Sequence, residues 1–335
     1  MAKTVHRETW IDWAKAICIY LMVVGHSNVT ERVFDFIYLF HMPVFFIISG
    51  ILYHEKNWSS LIKGTVIPTI IFNLINYPYY IYKQITLFNN ELTLDVLFYK
   101  PLLGFICHDY QYGWPVCVPF WFVLALFVDK LIVKFLSLFS KHIYKMTGHN
   151  VYRELIVITL VICVLFSFMW NGAPDNSFGF IPQRAIIALP FFVIGKRCFC
   201  FIKESRIIKN HRGAIALLGL SIFIYLSMND VKIDLYGCKL FHPILYYICG
   251  VAGLIVIYCC FSKTKENNII TNMSKGTLVI LGAHNLVLFT ICKFVGEDYR
   301  FANDGILLSL IVIVVLYPVV FFVLKRQELH FIIGK

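Results

Sequence analysis

Charge is what this sequence has least of. Only 15% of its 335 residues are Asp, Glu, Lys or Arg, where soluble domains carry about 25%. Hydrophobic residues reach 59%, against about 45–50% in soluble chains. No stretch is polar enough to coat a sizeable soluble domain, so the expected solvent is a bilayer. Metal and redox spacings are missing as well. The 11 cysteines are scattered through apolar runs, and the pairs Cys198/Cys200 and Cys259/Cys260 lack the two-residue gap of a zinc or dithiol motif; no metal is expected. Cys107, Cys117 and Cys238 fall in segments expected on one side of the membrane, where a disulfide and free thiols are both open. The first apolar run carries Asp12 and Lys15, and no small-residue cleavage site follows at Ser27-Asn28. An uncleaved helix is therefore expected. Repeats and low-complexity segments are absent.

What is there is a succession of apolar runs, each near the about 20 residues that a spanning helix needs. We expect an all-α polytopic membrane bundle, one domain over 1–335, with about ten helices near 9–27, 36–53, 65–82, 118–138, 154–170, 182–202, 213–228, 240–261, 276–294 and 304–324. The fourth is the weakest, because Asp129, Lys130 and Lys134 would lie deep unless it leaves the membrane early. The net charge of +11 does not point to nucleic acid, because the basic residues are sorted by side. With the N-terminus inside, 21 of the 30 Lys and Arg residues fall in inner segments and 7 in outer loops, leaving Lys15 and Arg184 within helices. That excess orients the bundle with both termini cytoplasmic. One loop, Lys83 to Pro119, is long and rich in aromatics around Tyr110-Gln111-Tyr112-Gly113-Trp114-Pro115. Both a cover over an outward-facing site and a loose connector suit it.

Ionisable groups inside a bilayer cost about 2.5–3.5 kcal/mol at a helix centre and usually face a cavity or a partner. The survivors are Asp12, Lys15 and His26 in the first helix, His41 in the second, Arg184 in the sixth and His284 in the ninth. Lys15 and His26 are eleven residues apart, or about three turns plus 20°, so they share a face and stand about 16 Å apart along the axis. Asp12, three residues before Lys15, lies on nearly the same stripe and can pair with it. The second helix returns through Phe40-His41-Met42-Pro43, bringing His41 to the depth of His26. A direct catalytic role and a hydrogen bond that holds the hairpin are both open for His41; His284 reads as packing. Ser49-Gly50 lets another backbone come close. Histidine can take a proton from a hydroxyl and return it near neutral pH, and no better base is on offer.

The run Trp10-Ile-Asp12-Trp-Ala-Lys15-Ala-Ile, ending in Val24-Gly25-His26-Ser27, followed by Phe40-His41-Met42-Pro43-Val-Phe-Phe-Ile-Ile-Ser49-Gly50, resembles the acyltransferase-3 family of membrane O-acyltransferases. It looks closest to the branch of fucose 4-O-acetyltransferases, in which lysine can replace the arginine that other members place eleven residues before the histidine. Weaker matches are Lys63 ahead of Ile67-Pro68, Phe120-Trp121-Phe122, and Arg184 ahead of Phe191-Phe192-Val193-Ile194-Gly195. Where some members carry an arginine-rich pair before the third-helix proline, this chain keeps only Lys63.

The resemblance implies acetyl-CoA as the cytoplasmic donor and a sugar hydroxyl of a surface or exported glycan, or of a lipid-linked sugar, as acceptor, in a bacterial inner membrane. On this reading His26 is the general base, with His41 a second catalytic candidate. Lys15, Asp12 and Lys63 serve the donor side, and Arg184 and Trp121 stand at the outer mouth as acceptor or oxyanion contacts. Direct transfer and a short-lived acyl-histidine are both chemically open. A secondary transporter would also bury charge at the midplane, but such folds show paired, interrupted helices in two repeated halves, and none is visible. A non-catalytic subunit of a glycan assembly complex would leave Lys15 and His26 unexplained.

Overall fold

The computed structural model describes residues 8–107, 113–171, 181–295 and 305–335. Tyr110, Gln111, Tyr112 and the charged residues Lys3, Arg7 and Arg300, on which parts of the sequence reading rest, lie outside them. Among the described residues the chain is helical, with one isolated antiparallel bridge between Asp234 and Lys239. The α-helices are α1 (Thr9–His26), α2 (Glu31–Tyr38), α3 (His41–Ile51), α4 (Trp58–Lys63), α5 (Val66–Thr86), α6 (Lys100–Cys107), α7 (Trp121–Thr147) and α8 (Tyr152–Trp170). Then follow α9 (Ile181–Glu204), α10 (Arg206–Asn210), α11 (Arg212–Met228), α12 (Pro243–Phe261), α13 (Asn268–Lys275), α14 (Thr277–Val295) and α15 (Gly305–Lys325).

A helix lies at each of the ten expected positions. By length and composition seven stretches can cross a membrane: Glu31–Ile51, Trp58–Thr86, Tyr152–Trp170, Ile181–Glu204, Pro243–Phe261, Thr277–Phe294 and Gly305–Lys325. The other three are α1, which carries Asp12 and Lys15, the long α7, and α11, which is apolar but only 17 residues long. The chain is a helical membrane bundle.

The second helix departs from expectation by breaking in two. A proline cannot bond the carbonyl four residues earlier and its ring clashes with it; for Pro43 that carbonyl belongs to Leu39. The chain leaves helical geometry at Phe40 (φ −141°, ψ −24°) and restarts at His41. Pro43 then sits in the first turn of α3, where no N–H is needed.

α7 runs 27 residues, about 40 Å at 1.5 Å per residue, and so outreaches the about 30 Å hydrocarbon core. Its polar residues are handled by the α3–α4 loop. Lys134 Nζ donates to the Lys56 carbonyl and lies 4.4 Å from the centre of the Trp58 ring. Ser137 donates to Glu55 at 2.6 Å and Lys141 pairs with the same carboxylate at 3.1 Å. The Ser137 hydroxyl, and after it Lys141, hold the Glu55 carboxyl below its usual value. Deeper in, Asp129 is fully buried and neither of its carboxylate oxygens has a hydrogen-bond partner.

α1 runs through the middle of the bundle and touches α2, α3, α12, α13, α14 and α15. The most extensive helix contact is between α3 and α9. It is made by two glycines: a Cβ on Gly50 would stand 1.9 Å from the carbonyl oxygen of Phe192, and one on Gly195 would stand 1.9 Å from that of Ile47. Small residues let membrane helices close in this way, as Ser49-Gly50 suggested.

The long loop after α5 is built, not slack. Asp95–Tyr99 forms a π turn that leads into α6. Beyond it, the Trp114 N–H donates to the Lys100 carbonyl at 2.9 Å and the Lys100 ammonium lies 4.1 Å from the centre of the Trp114 ring. Gly104 and Gly113 press together, a Cβ on Gly113 falling 2.2 Å from the Gly104 nitrogen. Cys107, Cys117 and Cys238 are all free thiols, the latter two buried.

Candidate active site

Two cavities enter the bundle from opposite ends and approach each other along α1. The inner one, about 960 Å³, opens at the end that the charge asymmetry places in the cytoplasm. Asp12, Lys15, Ile19 and Met22 line it from α1, a spacing of three or four residues that keeps them on one helical face. Facing them are Phe45 and Ser49 of α3, Phe122 and Lys130 of α7 and Leu281 of α14. Lys56, Lys134, Lys203 and Lys275 stand around its mouth, with Glu8 and Asp12 as the acidic side chains of the lining. An excess of cations focused in a concave site attracts a polyanion.

Lys15 and Asp12 are tied to one residue of α13. Lys15 Nζ donates to the Ser274 carbonyl at 2.6 Å, and the Ser274 hydroxyl donates to Asp12 Oδ1 at 2.6 Å. α13 is held for this by Asn267, whose side chain caps it by accepting from the N–H groups of Ile269 and Ile270. The expected stripe is therefore real: the cation and the carboxylate lie in the inner cavity, and His26 lies eleven residues further out.

The outer cavity, about 870 Å³, reaches His26 from the other side. Ser27 and Asn28 follow His26 in its wall, α5 supplies Asn76, Tyr79, Tyr80 and Gln84, and α14 supplies Asn285 and Phe289. The long loop closes it with Trp114 to Pro119. The described end of that loop thus lies against this cavity. Aromatic faces alternating with amide and hydroxyl groups provide stacking surface and hydrogen bonds for a polar ligand, and Lys83 adds a cation to the wall. Asn76 is fixed by donating to the carbonyls of Phe72 and Gly282, at 2.7 and 2.8 Å.

His26 stands between the two. It lines the outer cavity, and its Nδ1 lies 2.8 Å from the carbonyl oxygen of Met22, which lines the inner one. A carbonyl only accepts, so Nδ1 carries the hydrogen and Nε2 keeps its lone pair. The arrangement leaves one basic nitrogen, of fixed tautomer, at the narrow point between the cavities.

The remaining expected residues are placed less centrally. His41 is buried in the wall of neither cavity; its Nδ1 donates to the Ile37 carbonyl at 2.8 Å and its ring meets Tyr38 at 4.8 Å. It thus spans the break between α2 and α3. Arg184 is buried, with Nε donating to the Tyr236 carbonyl at 2.7 Å and the guanidinium 3.9 Å from the centre of the Tyr236 ring and 5.7 Å from that of Trp121. These three pack as one cluster, outside the lining of the outer cavity. Lys63 is exposed at the end of α4 and lines neither cavity.

His284, read from the sequence as packing, lies beside His26. Its ring packs at 76° against that of His26 with centroids 4.9 Å apart, and it is fully buried. Sequence reasoning missed Asn76, Tyr80, Gln84 and Asn285, polar residues on otherwise apolar helices whose facing only the packing reveals. Among the described residues no His, Cys, Asp and Glu group is arranged to hold a metal ion.

No curated protein and no solved structure gives a significant match to the chain. A family model described as an acyltransferase domain matches residues 8–325, almost the whole bundle and, apart from Ile333, Gly334 and Lys335, the lining of both cavities. The chain is an integral membrane acyltransferase, a member of the acyltransferase-3 family.

Proposed function

We propose that the chain is an O-acetyltransferase of a bacterial cytoplasmic membrane, moving an acetyl group from acetyl-CoA in the inner cavity to a sugar hydroxyl in the outer one. The observation that carries this reading is the position of His26, whose ring faces one cavity while its Nδ1–H is anchored to a residue that lines the other. The lysines at the inner mouth suit the phosphates of CoA. The extended pantetheine arm is of the same order as the about 16 Å from Lys15 to His26, so the thioester arrives beside the imidazole. The aromatic and amide lining of the outer cavity suits a pyranose, and the resemblance to the fucose 4-O-acetyltransferase branch points the same way.

In this mechanism Nε2 of His26 takes the proton of the acceptor hydroxyl as its oxygen adds to the thioester carbonyl, and the proton is returned to the departing thiolate. Met22 keeps the ring in the required tautomer. Lys15, steadied by Ser274, orients the donor. His41 sets the break that positions α3, and Arg184 with Trp121 braces the outer helices. Direct transfer needs no stable intermediate and is the simpler route.

The test is purified protein with radiolabelled acetyl-CoA and a panel of methyl pyranosides, beside mass spectrometry of surface glycans from cells with and without the gene. Labelled acetyl ester on a sugar, lost in His26→Ala, supports the reading. Near-normal turnover in His26→Ala sinks the role of His26. Translocation of an unmodified sugar, with no ester formed, would instead favour a transporter.

A further inference from the structure

His26 does not stand alone at the narrow point. On α14, Leu281 lines the inner cavity and Asn285 the outer one, just as Met22 and His26 do on α1. His284 lies between Leu281 and Asn285, and its ring meets that of His26. Its Nδ1 donates to the carbonyls of Ile280 and Leu281, at 3.1 and 2.9 Å. That fixes the tautomer, so Nε2 is a lone pair. This nitrogen is buried and has no hydrogen-bond partner. An unsatisfied acceptor in a dry interior is costly, and packing alone would be served as well by phenylalanine. His26 and His284 are therefore two imidazoles in contact, each held by its Nδ1–H to its own helix and each with an uncommitted Nε2.

We infer that His284 is a positioning residue for His26, whose Nε2 holds the proton in transit between the acceptor hydroxyl and the leaving thiolate. The inference rests on the proposed role of His26. When the hydroxyl oxygen bonds to the thioester carbon, its proton passes to Nε2 of His26. As the C–S bond breaks, its electron pair leaves on sulfur. With the centroids 4.9 Å apart and the planes at 76° the edge of one ring meets the other ring, and a turn of the imidazolium brings its Nε2–H to the Nε2 of His284. The shared proton then goes to the thiolate, CoA leaves as a thiol, and both rings return to neutral with Nδ1 protonated. One ester forms, one thioester is consumed, and no proton is gained or lost.

The experiment compares His284→Phe, which keeps an aromatic ring, and His284→Gln, which keeps a hydrogen-bond acceptor, with His26→Ala and the wild type. Acetyl transfer from radiolabelled acetyl-CoA to methyl pyranosides gives kcat and KM, calorimetry gives acetyl-CoA binding, and thermal melting in detergent reports folding. General acid–base steps contribute about 10²–10⁴-fold. We expect each His284 variant to lose about a hundredfold or more in kcat, with both KM values and donor affinity within about threefold of wild type. If His284→Phe does not fold, His284→Gln carries the test alone. Turnover within threefold of wild type in either folded variant overturns the inference, as does a loss that appears in KM and donor affinity and not in kcat. If His26→Ala is itself active, it is the reading of the site that fails; if only the His284 variants are active, that reading stands and His284 is packing.

Discussion

Gly50 and Gly195 sit on the two sides of one seam, each so close to the other helix that a Cβ would land 1.9 Å from a backbone carbonyl, of Phe192 for the first and of Ile47 for the second. Backbone cannot yield as the tip of a side chain can. Gly50→Ala or Gly195→Ala should therefore push α3 from α9 and destabilise the bundle by about 1–3 kcal/mol, the usual range for overpacking. The two changes act on one gap, so the double variant should cost less than their sum. Thermal melting of the three variants in detergent checks this; a melting temperature unchanged in Gly50→Ala contradicts it.

Lys15 and His26 share a face of α1 but open onto different cavities, so their losses should differ in kind. Lys15→Ala should raise the acetyl-CoA requirement about tenfold or more, the scale of about 1.4 kcal/mol for one lost charge contact. Lys15→Arg should keep much of the activity. His26→Gln should bind donor like wild type yet fail to transfer, because glutamine can hydrogen-bond but cannot take up the proton. Calorimetry with acetyl-CoA, run beside transfer from radiolabelled donor, separates the two. Equal loss of donor binding in His26→Gln and Lys15→Ala would make His26 a donor-site residue.

Glu55 clips the inner extension of α7 to the α3–α4 loop through Ser137 and Lys141. Its carboxyl is held below the usual 4.5 by those two partners. A depressed carboxylate contributes stability that is fully present above its unfolded value and is lost as pH falls through the folded one. The wild type should therefore melt slightly above Glu55→Gln at neutral pH, by no more than about 1 kcal/mol for so exposed a pair. The difference should vanish as pH drops below 4.5. A difference that persists in acid would mean the clip does not depend on charge.

The charge asymmetry makes a prediction about sides. In a background with the exposed Cys198, Cys200 and Cys260 replaced by Ser, an impermeant thiol reagent added outside should label Lys232→Cys but not Lys141→Cys. Asn176, a further outer site by the charge count, lies outside the described residues. The reverse pattern would invert the bundle.

The parts of this molecule that were legible in the sequence are those written in local chemistry. Apolar runs marked the helices, and the break at Phe40 is the local effect of Pro43 on the Leu39 carbonyl. Lys15 and His26 were found because eleven residues is close to three turns, a property of one helix. His284 reads as packing from the sequence, because its ring contact between α1 and α14 is not visible along α14, where nothing distinguishes it from a histidine that fills space. Arg184 and Trp121, read as outer-mouth contacts, line neither of the two cavities, for the same reason. Depth in the membrane was readable, but which way each side chain turned was decided by Tyr236, a loop residue 52 positions from Arg184. Lys63 was assigned by its place in a motif and lies exposed at a helix end.

Two cavities whose linings end four residues apart on α1, at Met22 and His26, replace much of the hydrocarbon at that spot with vestibules. A transmembrane voltage, which acts on each elementary charge at about 2.3 kcal/mol per 100 mV, then falls across a short span at His26 and His284. Moving a charged carrier through that span would do electrical work on every turnover. On the proposed mechanism the group that moves is a neutral acetyl, and a proton that leaves a hydroxyl and ends on a thiol beside the same two rings barely travels along the field. On this geometry acylation is electrically silent, so its rate should be the same in energised and in de-energised membranes.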